Sequence, residues 1–184
     1  MVFEKYPPAP TAWIRHTGVW DMQDLYESLV GWFRERKYKF HELIYKHKHP
    51  SPFGVERQYI WQAERKENDY VQIQYDVYIH TYDAHDVEVD MKDGSKQTYT
   101  KGKIWIQLKV LIIFDFEKRW DKGAFYKYLK DFYNKYVIKK RLMHGYSPKF
   151  RTEFNALHAL VQERLRLETE GFEHRDISGV YGKL

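Results

Sequence analysis

The sequence predicts an α+β domain: a four-stranded antiparallel meander with one N-terminal and two C-terminal helices packed mainly on one face. Apolar and polar residues alternate over 71–79 and again over 104–116, and an Asp93-Gly94 dipeptide lies between these segments. Helical periodicity appears on both sides of the strand-forming region. At 184 residues the chain is long enough to form one domain with a substantial core.

The two central strands are predicted to form one long hairpin. Asp93-Gly94 favours a two-residue type I′ turn, which would place Val71 opposite Phe116 and Val77 opposite Val110. Both apolar faces then lie on the same side of the sheet, whereas a slip of one residue would separate them.

Two further strands, 38–48 and 55–63, precede this hairpin. The proline-containing segment 49–54 separates them and is expected to form a rigid loop. A three-residue loop at 67–69 would then place Trp61 opposite Tyr75 and extend the buried face of the sheet.

Helix signals flank the strands. Asp21 is the expected N-cap of a first helix that continues to about Glu35, and Asp121 is the expected N-cap of a second. A wide stripe is predicted to be the buried face of the second helix: Phe125, Tyr128, Leu129, Phe132, Tyr133, Tyr136 and Val137.

The second helix is expected to end at Gly145. Ser147-Pro148 is the predicted start of a third helix, which Gly171 ends. The predicted buried side of this third helix consists of Phe150, Phe154, Leu157, Val161 and Leu165.

These elements give one domain over 1–184. Residues 1–19 contain three prolines and are expected to form an N-terminal arm, 20–171 form the α-ββββ-αα core, and 172–184 form a C-terminal tail.

Composition limits the classes of function. The chain has no cysteine, which excludes disulfide scaffolds, Cys-zinc sites and thiol nucleophiles. The N-terminus has no apolar signal-peptide core, and the longest apolar run, 110–114, is too short for a membrane span. We therefore expect a cytoplasmic protein without membrane insertion. The net charge of +5 permits an anionic partner.

The face of the hairpin away from the core is the first candidate surface. The predicted register places Tyr78 beside Lys109, His80 beside Gln107 and Tyr82 beside Trp105, with Lys103 nearby. Aromatic side chains on an open sheet can stack on bases while lysines neutralise phosphates. The alternative is a solvated or self-associating sheet face.

Basic segments add to this interpretation. Residues 34–48 carry six Lys or Arg against two acids, and 118–151 carry eleven against two. Lys139, Lys140 and Arg141 stand in the last turn of the second predicted helix, where they are candidate contacts to phosphates or to an acidic protein. A charge stripe on a helix is more commonly a solvated face.

An apolar ligand cavity between the curved sheet and the helices is a second hypothesis. Its lining would be Tyr59, Trp61 and Tyr75 with Phe132 or Tyr136. The same residues serve equally as core packing.

His80, Asp83 and His85 form a weak candidate metal site. Strand parity puts Asp83 and His85 on the core side and His80 on the other, so three ligands on one side would need a bulge at Asp83-Ala84. His41, His47 and His49 also alternate along one strand. A hydrogen-bonded Asp-His pair and a basic edge strand explain these residues as well.

The sequence contains no phosphate-binding glycine loop, nucleophile elbow or HExxH motif, and it implies no cofactor. We therefore expect a non-catalytic binding protein with RNA, a ribonucleoprotein or an acidic protein as its partner. An apolar-ligand-binding domain and a structural, self-assembling homo-oligomer are the alternatives.

Overall fold

In the part of the chain that the structure describes, the sheet has six antiparallel strands, so the α+β class is confirmed and the expected count of four is wrong. The computed structural model describes residues 5–51, 54–90, 96–120 and 123–166. The strands are β1 (Lys5–Tyr6), β2 (Ala12–Trp20), β3 (Lys39–Ser51), β4 (Gly54–Lys66), β5 (Val71–Asp90) and β6 (Lys96–Phe114). Strands β3 to β6 form the predicted meander.

The additional strands come from the segment that was expected to be an N-terminal arm. Both β1 and β2 pair with the edge of β6 that the meander leaves open, with Ile14 opposite Ile106. This pairing gives partners to backbone N–H and C=O groups that an open edge would leave to solvent. The prolines at 7, 8 and 10 precede β2 and do not interrupt it.

As far as Tyr82, the predicted parity of the central hairpin is confirmed, but its register is wrong by two residues; beyond Tyr82 the side chains of β5 lie on the face opposite to the predicted one. Val71 lies opposite Phe114, and Val77 lies opposite Leu108. Trp61 on β4 likewise lies opposite Val77 instead of Tyr75. A shift of two leaves each side chain on its predicted face because the side-chain period of a strand is two. The predicted turn at 92–95 lies outside the described residues.

A β-bulge interrupts β5 between Tyr82 and His85, with Asp83 at a left-handed φ of 52°. The opposite strand approaches closely at Gly102, where a Cβ would lie 2.8 Å from the Tyr82 carbonyl oxygen. The bulge turns Ala84 inward and leaves Asp83 and His85 exposed. The prediction that these two side chains face the core is therefore wrong.

The inner face of the sheet carries the core as predicted. Ile73, Tyr75 and Ile79 are completely buried, and so are Ile106 and Leu108 on β6. Phe116, which was expected to extend this face, lies beyond the end of β6 and is half-buried.

Helix α1 (Met22–Glu35) crosses this inner face between β2 and β3. Its predicted N-cap is confirmed, since the Asp21 carboxylate accepts a hydrogen bond from the Asp24 backbone N–H at 2.9 Å. The buried side of α1 includes Leu25, Leu29 and Phe33.

The C-terminal part is one continuous helical segment, so the predicted break at Gly145 is wrong. It consists of α2 (Ala124–Tyr133), a π-helical turn (Asn134–Ile138), α3 (Lys139–Arg141), a second π-helical turn (Leu142–Tyr146) and α4 (Ser147–Arg166). Pro148 lacks an N–H, and its ring crowds the carbonyl group four residues earlier. The π-helical turn before it widens the helix at that carbonyl. The expected N-cap Asp121 and the expected stop Gly171 lie outside the described residues.

Helix α4 packs on the sheet and on α1 through its predicted apolar side. Phe150, Phe154 and Leu157 are buried. On the same helix, Glu153 accepts hydrogen bonds from the Tyr38 hydroxyl at 2.8 Å and from Arg65 at 3.4 Å. These contacts fix α4 along the inner face.

Helix α2 buries only a small part of its predicted apolar side. Tyr133 and Val137 are half-buried, and the Tyr133 ring packs against Tyr70 and Trp120. The five residues of what we call the aromatic stripe are exposed: Phe125, Tyr128, Leu129, Phe132 and Tyr136. Lys130 and Asn134 are buried in their place. The prediction of helices packed mainly on one face therefore holds for α1 and α4 and is wrong for α2. No helix in the described part of the chain has the length and apolar character of a membrane span.

Candidate nucleic-acid interface

The outer face of the sheet presents every second side chain of its strands on the side away from α1 and α4. Strand pairing aligns Arg15 on β2, Trp105 on β6, His80 on β5 and Gln58 on β4 in one row across the sheet. Such a row places functional groups from four strands at neighbouring positions, about 4.8 Å apart along the hydrogen-bonding direction.

Aromatic rings form a continuous strip on this face. The Tyr82 and Trp105 ring centroids lie 5.2 Å apart, and those of His80 and Tyr82 lie 3.8 Å apart. Tyr78 continues the strip, with its ring centroid 6.0 Å from that of His80. The structure therefore brings together the aromatic residues that the sequence places on this face, although their strand partners differ. His80 lies opposite Trp105, and Tyr82 lies opposite Lys103.

Strand β2 adds two residues to this surface. The guanidinium of Arg15 lies over the Trp105 ring, 4.7 Å from its centroid. Trp13, the next residue of β2 on this face, is 56% exposed and lies opposite Gln107. Sequence reasoning missed both residues because it assigned them to an arm. The alternation of Ala12, Ile14 and His16 with polar or bulky residues is the signal that could have identified the strand.

His80 is the buried member of this strip. Its Nδ1 atom is 3.2 Å from the Tyr78 hydroxyl, and its Nε2 atom is 3.4 Å from the Gln58 amide nitrogen. Burial lowers the pKa of His80, while the nearby Glu56 carboxylate opposes that shift. The buried His80 ring packs against Tyr82 and is not itself accessible to a partner.

The predicted lysines of this face differ in their surroundings. Lys103 forms an ion pair with Asp83 at 3.2 Å, and both side chains are more than half exposed. Lys109 is half-buried and lies opposite Asp76. At the other side of the sheet, Lys46 on β3 is exposed and lies opposite Gln58, in the row of Trp105.

The three cations of α3 belong to a different surface. Lys139, Lys140 and Arg141 are exposed on the helical segment between Ile138 and Leu142, which are buried in the core. Two of them line a groove of about 690 Å³ whose wall is completed by the second π-helical turn and by the loop between β4 and β5. The lining residues are Glu67, Lys140, Arg141, His144, Gly145, Tyr146 and Lys149.

The residues of the hypothetical apolar cavity are not brought together. Trp61 and Tyr75 are buried in the core, where rings of α1 and β3 pack against them, and the Tyr59 ring lies 5.7 Å from that of Trp61. Phe132 and Tyr136 belong to the exposed aromatic stripe, with their ring centroids 4.8 Å apart.

The candidate metal ligands are also separated. Asp83 is paired with Lys103, His85 lies beyond the bulge, and His80 is buried among aromatic rings. A register shift in β3 places His41 opposite Gln62 and His47 opposite Arg57, on opposite faces of the sheet. Within the ranges that the structure describes, no three His, Asp or Glu residues lie close enough to hold a metal ion. His49 lies where side chains are not described.

The sequence matches no family model, and no curated protein matches it significantly.

Proposed function

We propose that this protein binds single-stranded RNA on the outer face of its sheet. The observation that supports the proposal is a group of accessible side chains on this face. Trp13 and Trp105 are 56% and 38% exposed, and Tyr82 and Arg15 lie beside Trp105. These groups come from three strands, β2, β5 and β6, so their arrangement depends on the folded sheet.

Planar side chains on a sheet bind unpaired bases by stacking, which contributes about 1–3 kcal/mol per base at each aromatic residue. A duplex keeps its bases stacked on one another, so a single strand is the form that fits this surface. Arg15 extends the platform because a guanidinium stacks on rings and binds phosphate as well.

Cations around the strip would neutralise the phosphates. Lys109 and Lys46 lie on either side of it along the outer face, and Lys103 would exchange its exposed pairing with Asp83 for a phosphate contact. An exposed ion pair contributes only about 0–1 kcal/mol, so this exchange costs little.

The direct test measures RNA affinity by fluorescence anisotropy with a labelled mixed-sequence single strand. Trp105→Ala combined with Tyr82→Ala removes two stacking positions and should weaken binding by about 30-fold or more. Phe132→Ala combined with Tyr136→Ala is the matched control, because it removes two exposed aromatic side chains from the aromatic stripe and should leave RNA affinity unchanged.

Salt dependence supplies a second readout. The logarithm of the affinity should fall linearly with the logarithm of salt concentration, with a slope of about −0.7 per phosphate contacted. Lys109→Glu should make that slope shallower. No detectable binding at low ionic strength, or equal losses in the two double variants, would refute the proposal.

A further inference from the structure

Helix α2 is held with its aromatic stripe directed away from the rest of the protein. Phe125 and Tyr128 are 72% and 73% exposed, Phe132 is 51% exposed and Tyr136 is 59% exposed. The opposite side of the helix carries the buried residues Lys130 and Asn134.

Buried polar contacts fix this orientation. Lys130 Nζ lies 3.0 Å from an Asp115 carboxylate oxygen, and both side chains are almost completely buried. The Tyr70 hydroxyl donates a hydrogen bond of 2.6 Å to Asn134 Oδ1. Rotating α2 to bury the stripe would break this buried ion pair and this buried hydrogen bond, which is strongly unfavourable. These contacts hold the stripe at the surface.

The stripe has the size of a binding surface. A fully exposed side chain of this kind offers roughly 200 Å², so the exposed fractions correspond to about 600 Å² on one helix face. That equals the largest apolar patch of a typical monomeric protein and approaches the roughly 800 Å² that one partner contributes to a standard interface.

The spacing of the stripe identifies the shape of a partner. Four of its residues stand at positions i, i+3, i+4 and i+7 from Phe125 in α2, and Tyr136 in the following π-helical turn continues the ridge, with its ring centroid 4.8 Å from that of Phe132. The ridge extends over about three helical turns, or roughly 17 Å. A narrow ridge of this length is complementary to the apolar face of a second helix, which packs its own side chains between those of the ridge.

Charge identifies the chemistry of the partner. Between Ala124 and Arg141 the exposed charged residues are five cations and a single acid, Asp131: the cations are Lys127, Lys135, Lys139, Lys140 and Arg141. A second copy of this helix would bring the same excess of positive charge to the contact. An acidic partner gains from these charges, because complementary charges around an apolar centre favour association.

We propose that the aromatic stripe of α2 is a docking site for an acidic amphipathic helix of a partner protein. Phe132 and its stripe neighbours receive the apolar side of that helix, and the cations of α3 pair with its acidic residues. This site is separate from the outer face of the sheet, so it does not depend on the RNA-binding proposal.

Three designed peptides of 18 residues test the proposal by fluorescence anisotropy. The first has Leu and Phe at helical spacing on one face and Glu elsewhere. The second has the same composition in scrambled order, and the third replaces Glu by Lys. The first peptide should bind at least ten times more tightly than the other two.

Variants then locate the binding site. Phe132→Ala combined with Tyr136→Ala should weaken binding of the first peptide at least tenfold, while Trp105→Ala combined with Tyr82→Ala should leave it unchanged. Charge reversal at Lys139, Lys140 and Arg141 should weaken binding at low salt and reduce its salt dependence. Circular dichroism checks that each variant is folded.

Three outcomes would overturn the proposal. They are no binding of the first peptide at 500 µM, equal binding of the scrambled peptide, and wild-type dimers that Phe132→Ala with Tyr136→Ala converts to monomers in light scattering. The last result would assign the stripe to a second copy of the chain. Loss of RNA binding alone would leave this proposal intact, because the peptides do not use the sheet.

Discussion

Helices α2 and α4 are parts of one continuous helical segment, and both carry apolar residues at helical spacing. Helix α4 buries its apolar side against the sheet and α1, where Phe154 is 3% exposed. Helix α2 leaves its aromatic stripe in solvent, where Phe132 is 51% exposed. The same helical spacing of apolar residues is thus found in one helix that buries its apolar side and in another that exposes it.

The difference lies in what each helix meets. Helix α4 runs over the apolar inner face of the sheet, so burying its apolar side removes both surfaces from water. Helix α2 meets a polar end of the sheet that presents Asp115 and the Tyr70 hydroxyl. Lys130 of α2 and Asn134 of the π-helical turn that follows it bind those groups. Periodicity shows which residues share a face, and the neighbouring structure decides which face is packed.

The largest expected effect contrasts two phenylalanines of this segment. Phe154→Ala should lower the free energy of unfolding by about 3–5 kcal/mol, because it leaves a cavity in the core. Phe132→Ala should change it by less than about 0.5 kcal/mol, because the side chain is already in solvent. Urea denaturation followed by circular dichroism measures both values. A similar loss in both variants would show that the stripe is buried in solution.

Lys130→Met tests the contact that orients α2. Removing the ammonium group leaves the buried Asp115 carboxylate without its ion pair, so we expect a loss of about 3 kcal/mol in the free energy of unfolding. Lys127→Met, at an exposed position of the same helix, is the matched control and should change stability by less than about 0.5 kcal/mol. Adding Asp115→Asn to Lys130→Met should recover part of the loss, since it removes the unpaired charge. Equal stability of the two single variants would refute this account of the helix orientation.

Gly145→Ala tests the continuity between α2 and α4 and has the smallest expected effect. A Cβ at Gly145 meets no atom within 4 Å, so alanine should stabilise the helical segment by about 0.5–1 kcal/mol. Gly102→Ala is the contrasting control, because its Cβ would collide with the Tyr82 carbonyl and destabilise the protein. Destabilisation by Gly145→Ala would instead support the helix end that the sequence predicts there.

The candidate RNA-binding face was predictable in part. Alternation along β5 and β6 places Tyr78, Tyr82 and Trp105 on the side away from the core, and a register error of two residues does not alter that side. Trp13 and Arg15 were not predictable as members of this face, because their place depends on pairing with residues at least ninety positions away in the sequence. The cations of α3 could be identified from the sequence, but the sequence did not show that they lie away from the outer face of the sheet.

The sequence by itself determined the α+β class, the inner and outer faces of β6 and of β5 as far as Tyr82, and the capped start of α1 at Asp21. Each of these depends on residues close together in the chain, where strand period, helix period and capping act. Tertiary structure alone decided that β2 completes the sheet, that a bulge at Asp83 turns Ala84 inward, and that α2 exposes its aromatic stripe. These outcomes depend on hydrogen bonds and ion pairs that backbone groups and buried polar side chains form with residues far away in the sequence. Local periodicity contains no information about which residues those partners are.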